Sequence, residues 1–118
     1  MSQNFAYDQK DDLAGKNVQN YFGSNAAVVP STETMLVTHT STKDEILKYV
    51  YGNGETDGKF ILYVNSTAIW IERNAWTERN VNSMIEKKLV PGDIIALKVT
   101  NLKTTNHLFG GGFDIYEL

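Results

Sequence analysis

The chain has 118 residues, a net charge of −3 and no cysteine. One domain of this length buries a single core. The missing cysteine excludes disulfides, thiolate metal sites and a cysteine nucleophile, and the mild negative charge speaks against a dedicated nucleic-acid binder.

The longest unbroken apolar run is Phe60–Val64, too short to cross a bilayer. Asp8, Lys10, Asp11 and Asp12 stand where a signal peptide is apolar. The expectation is a soluble protein made without a cleavable export signal.

Residues 1–30 are polar, with Phe5, Tyr7, Tyr21 and Phe22 scattered among Asn, Gln, Ser and Asp. Asp12 is a candidate cap for a short helix over 13–22, which Gly15 and Asn17 weaken. Four aromatics on such a background predict an arm that lays Phe5, Tyr7, Tyr21 and Phe22 into a neighbouring surface; the alternative is a frayed terminus. The chain divides on this reading into an N-terminal arm, 1–30, and a β-sandwich domain, 31–118. Deleting residues 2–24 is then expected to leave the unfolding midpoint of the body nearly unchanged.

After Pro30, Met35, Val37 and His39 alternate with Leu36, Thr38 and Thr40, a first core strand. Residues 45–51 form a second, with Leu47, Tyr49 and Tyr51 sharing one face; both its faces are apolar, as in a sheet interior. Asn53–Gly58 imitates the start of a calcium loop, but the twelfth position is Val64, so it reads as a polar hairpin loop. Lys59–Ile71 forms a hairpin with its turn at Asn65-Ser66. Phe60, Leu62, Val64, Ile69 and Ile71 are its predicted inner face. A weaker strand runs over 79–86. Pro91-Gly92 is a strong turn signal, with Pro fixing φ and Gly accepting a positive one. Ile95, Leu97 and Val99 face inward from the strand after it. Gly110-Gly111-Gly112 reads as a flexible turn into a last strand over 113–118. The pattern is all-β: an antiparallel β-sandwich, jelly-roll-like, of about seven to eight strands with an extended N-terminal arm. Its core should gather Phe60, Leu62, Val64, Ile95, Leu97, Val99, Phe113 and Ile115.

Chemistry is sparse. His39 and His107 are the only histidines and stand in no metal-ligand spacing. No nucleophile motif such as G-x-S-x-G occurs, and the glycine run lacks the following helix and the Lys of a phosphate loop. Asn65-Ser66-Thr67 matches a glycosylation acceptor, which means little without export. Catalytic, cofactor and metal residues are therefore assigned to none. One cluster is more suggestive: Trp70, Glu72, Arg73, Asn74, Trp76, Glu78 and Arg79 around one turn. Trp and Arg are enriched at protein interfaces. Trp faces beside carboxylates and amides also suit a sugar, whose ring stacks while polar groups orient it. The bland alternative is a half-buried Trp at the sandwich edge among solvated charges.

From Ile46 onward the layout resembles small β-sandwich virion proteins of tailed bacteriophages. The features that carry the resemblance are the strand over 46–51 leading to a Gly-rich loop, the hairpin Phe60–Ile71 with its Asn turn, and the Arg79-Asn80-Val81 step. Val90-Pro91-Gly92-Asp93-Ile94 then enters a strand, and the chain closes on Tyr116-Glu117-Leu118. The resemblance covers residues 35–118. It implies a non-enzymatic virion protein, assembled in the host cytoplasm, that serves as a capsid decoration (cement) protein or a tail or fibre component. It implies the major capsid protein or other virion proteins as partners, a homotrimer, and no cofactor, nucleic acid or membrane. Tyr49, Tyr51 and Trp70, placed away from the core, supply apolar surface for such a trimer to cover. The alternative class is a carbohydrate-binding module of a receptor-binding protein. Tyr49, Tyr51, Trp70, Arg73, Trp76 and Arg79 are the interface or glycan residues under the two readings.

Overall fold

The computed structural model describes residues 17–118. Phe5 and Tyr7 lie outside the described residues. Eight strands follow in order: β1 (Val18–Val28), β2 (Glu33–Thr40), β3 (Glu45–Gly54), β4 (Gly58–Val64), β5 (Thr67–Asn74), β6 (Asn80–Leu89), β7 (Ile94–Asn101) and β8 (His107–Glu117). They form two four-stranded sheets, ordered β1-β8-β3-β6 and β2-β7-β4-β5. Every strand pairing is antiparallel. Of consecutive strands, β4 and β5 alone share a sheet; every other connection crosses to the opposite sheet. This interleaving of two Greek keys is the eight-stranded jelly roll.

The core lies between the sheets. Phe60, Leu62 and Val64 of β4 meet Phe113 and Ile115 of β8 there, with Ile95, Leu97 and Val99 of β7 beside them. All eight predicted core residues belong to this one cluster. Phe109 joins them with its ring edge-on to Phe60, centroids 6.1 Å apart. The hairpin turn sits where the sequence places it. Asn65 and Ser66 take φ of 53° and 70°, the left-handed pair that a two-residue hairpin loop requires.

The boundary of the arm is corrected. Residues 18–28 are a strand of the first sheet, paired with β8 from Val18–Tyr116 to Asn25–Phe109. The cause lies in Gly110-Gly111-Gly112, which is the middle of β8 and not a turn into it. A methyl group on Gly112 would collide with the Tyr21 carbonyl oxygen, so β1 approaches this closely only because side chains are missing there. Tyr21 turns inward, its ring 4.3 Å from that of His39 and 5.7 Å from that of Phe113.

Bulges correct the facing of two more strands. Lys48 has no partner on β8, since Leu47 pairs with Ile115 and Tyr49 with Asp114. Leu47 and Val50 are therefore buried together, and Tyr49 leaves the face it was expected to share with Leu47. Ile69 is the extra residue between the pairs Leu62–Trp70 and Tyr63–Ala68. Trp70 consequently enters the core at 9% exposure, and Ile71, expected inside, is 54% exposed. A one-residue insertion exchanges the two faces of everything beyond it.

Candidate functional site

The polar and aromatic cluster at the β5–β6 connection is dispersed by the fold. Trp70 belongs to the core. Asn74 is buried and structural: its Oδ1 accepts from the Gly58 N–H at 2.7 Å, and its Nδ2 donates to the carbonyls of Thr56 at 3.0 Å and Arg79 at 3.1 Å. This satisfies a buried amide and fixes three loop segments at once. Trp76 is 64% exposed at the turn. Its backbone N–H donates to Asp57 Oδ1 at 3.0 Å, and its carbonyl accepts from Arg79 Nε at 3.3 Å. Arg73 projects from the outer face of β5, opposite Lys59. A cleft of about 710 Å³ opens between β5 and β6. Glu72, Arg73, Glu78, Asn80 and Asn82 line it, and neither Trp76 nor Arg79 does.

A different set gathers on the outer face of the first sheet. The register places Phe22, Gly112, Tyr51 and Asn82 in one row across β1, β8, β3 and β6. The next row is Asn20, Asp114, Tyr49 and Met84. Phe22 is 56% exposed. Its ring lies within 17° of parallel to that of Tyr51, centroids 6.4 Å apart. Asn20 Nδ2 donates to Asp114 Oδ1 at 2.6 Å. Partial burial, then Asp114, push the Tyr51 phenol above its ordinary range. Burial does the same to Tyr116 on this face. Of the residues expected to act as arm anchors or interface groups, the fold thus brings Phe22, Tyr49 and Tyr51 together. It takes Tyr21 and Trp70 inside and leaves Arg73, Trp76 and Arg79 elsewhere. The juxtaposition of Phe22 and Tyr51 has no local signal, because it depends on β8 passing between two strands distant in sequence.

Two clusters bring a hydroxyl, an imidazole and a carboxylate together. Ser41 Oγ donates to the buried Glu45 Oε1 at 2.7 Å, and His39 Nε2 lies 3.2 Å from the same oxygen. The hydroxyl meets the carboxylate and not the imidazole, so no activated nucleophile results. Thr105 Oγ1 lies 3.0 Å from His107 Nε2, and His107 Nδ1 2.8 Å from Glu55 Oε1. That is the hydroxyl–imidazole–carboxylate order of a hydrolase triad. The nearby cleft of about 350 Å³ is lined by Glu55, Arg79 and Leu108 among others, without Thr105 or His107. The chain of bonds fastens the 102–106 loop to the end of β3. His107 and the Leu108 N–H hold the Glu55 carboxyl below its usual range. Among the described residues no three His, Asp or Glu side chains are grouped to hold a metal ion, and no helix is long and apolar enough to cross a membrane.

No family model matches the chain, and no curated protein matches it. Solved structures do share its fold. One is a chain of the Bacillus endospore appendages described as a novel family of disulfide-linked pili, with a TM-score of 0.56 and 10% identity over 89% of this chain and 91% of that one. Another is a chain of the cyanophage Pam1 capsid asymmetric unit, with a TM-score of 0.57 and 11% identity over 100% of this chain and 92% of that one. The chain is thus a small antiparallel sandwich whose fold is that of viral capsid and bacterial pilus structural proteins.

Proposed function

We propose that the chain is a non-enzymatic structural protein of a phage virion, and within that class a capsid decoration (cement) protein. It binds the outer capsid surface as a homotrimer and stabilises the particle, with the major capsid protein as its partner. The observation that carries this reading is the likeness to the Pam1 capsid chain, which runs through this whole chain and 92% of that one. The pilus likeness supports assembly in general but not its chemistry: those pili are disulfide-linked, and a chain without cysteine has no such link to make.

A decoration protein needs a rigid body and no catalytic group. The body here is rigid by its fold, with side chains interlocked between two sheets. The test is co-sedimentation of the purified protein with expanded capsids of the phage that encodes it, beside light scattering of the free protein. The expected results are saturable binding to capsids and a mass of three chains. A monomer at micromolar concentration that stays in the supernatant would sink the proposal.

A further inference from the structure

We propose that the outer face of the first sheet is a binding site for a neutral polysaccharide, a function separate from attachment to a capsid. The site is built over two glycines. Gly110 and Gly112 carry no side chain in the middle of β8, while Phe22 stands on one side of them and Tyr51 on the other. The two backbones are two strand spacings apart, about 9.6 Å, yet the rings lean to within 6.4 Å of each other, nearly parallel. A methyl group on Gly110 would lie 3.1 Å from Phe22 Cζ, 3.3 Å from Ser24 Cβ and 3.4 Å from Asn53 Oδ1. These three side chains therefore fill the space over the glycine, which is buried. The result is an aromatic platform laid over two buried glycines, with the exposed Phe22 ring on one side and the polar side chains of Ser24 and Asn53 at its rim.

The chemistry of the rim selects the ligand class. Asn82 adjoins Tyr51 on β6, and Asn80 adjoins Asn53. An amide offers donors and an acceptor together, as a sugar hydroxyl does. Asp114 stands in the row below, held by Asn20. It is the one charged group in the two central rows, and it is an acid. An anionic polymer such as a nucleic acid or an acidic glycan meets no cation in these rows, and Lys48 beside them is paired with Glu86 at 2.8 Å. A neutral sugar meets what it needs: a ring face for its C–H surface, and amides and a carboxylate for its hydroxyls. A second copy of the chain, docking through the aromatic rings alone, would bury the amides and Asp114 without assured partners.

The test is affinity electrophoresis of the full chain in native gels containing laminarin, mannan or xylan, with heparin as the anionic control. The expected result is retardation by at least one neutral polysaccharide and none by heparin. Phe22→Ala and Tyr51→Ala should each weaken binding by about tenfold or more, while Trp76→Ala leaves it unchanged. Phe22 and Asn82 are exposed, so Phe22→Ala and Asn82→Ala keep the test valid if Tyr51→Ala misfolds. No retardation in any neutral gel overturns the proposal, and so does retardation that survives Phe22→Ala. Dissociation of an oligomer by Phe22→Ala, seen by light scattering, also overturns it and assigns the face to a second copy.

Discussion

Trp70 stands directly opposite Leu62 in the β4–β5 pair, in the place that an uninterrupted hairpin would give to Ile69. The bulge at Ile69 puts the indole into the core with its Nε1 buried and without a hydrogen-bond partner. The ring and the donor therefore act in opposite directions. The ring contributes as a large buried hydrophobe, and the unpaired N–H carries the cost of lost hydration. Trp70→Phe removes the donor and part of the ring, so its net cost should stay within about 1.5 kcal/mol. Trp70→Ala leaves a cavity and should cost about 3–5 kcal/mol. Urea unfolding of the two variants separates the terms; equal losses would show that the N–H finds a partner in solution.

The central pair of strands was legible because nothing interrupts it. Phe60, Leu62 and Val64 alternate through β4, and Ile95, Leu97 and Val99 through β7, paired in register from end to end. Leu97 is fully buried between them. Leu97→Ala should cost about 2–5 kcal/mol in chemical denaturation, and a loss below about 1 kcal/mol would contradict the facing. Alternation failed where a bulge intervened. Ile71, expected inside, and Trp70, expected outside, exchanged faces at Ile69, and Leu47 parted from Tyr49 at Lys48. A period-two pattern carries no mark of an inserted residue, because the insertion is favoured by packing against the other sheet.

The first strand was illegible for another reason. Its inward positions include Tyr21 and Gly23, while the aromatic Phe22 between them faces outward, so no apolar alternation announces it. Its place is created by the glycines of β8, ninety residues away in the chain, roughly the longest separation a domain of this size allows. The corrected expectation concerns truncation. Deleting residues 2–24 removes Val18–Ser24 from the first sheet, uncovers Phe113 and strips the β8 edge of its partner. It should lower stability by about 3 kcal/mol or more. Deleting residues 2–16 leaves β1 whole and serves as the reference. Thermal melts of the two deletions that coincide would refute the strand assignment.

The candidate surface followed the same rule. Tyr49 and Tyr51 were legible as outward aromatics of an interior strand, since β3 is flanked by β8 and β6. Phe22 was singled out as an arm anchor, and only the sheet order brings it beside Tyr51. Trp76 and Arg79 looked like partners by proximity in sequence, yet neither lines the β5–β6 cleft, and Arg79 borders a different one without Trp76.

Two turns that the sequence marks separately, Asn65-Ser66 and Pro91-Gly92-Asp93, are joined at one end of the sandwich. Asn65 Nδ2 donates to Asp93 Oδ1 at 2.8 Å, Asn65 Oδ1 accepts from the Ile94 N–H at 2.9 Å, and Asp93 Oδ2 accepts from the Val90 N–H at 2.9 Å. The amide of Asn65 and the N–H of Val90 favour the ionised carboxylate, so the Asp93 carboxyl lies below its ordinary range. A carboxylate with a lowered folded pKa stabilises the protein above its unfolded value, and that stability is lost as pH falls through the folded value. The loss should begin near about pH 5 and continue below the ordinary Asp value of about 3.9. Asp93→Asn cannot ionise and presents an amide where two acceptor oxygens are used. The variant should therefore be less stable than the parent at pH 7, and the gap should narrow steadily toward pH 2. Urea midpoints of both proteins across that range provide the measurement. A gap that stays constant with pH would mean that the Asp93 contacts act through shape alone and that its charge contributes nothing.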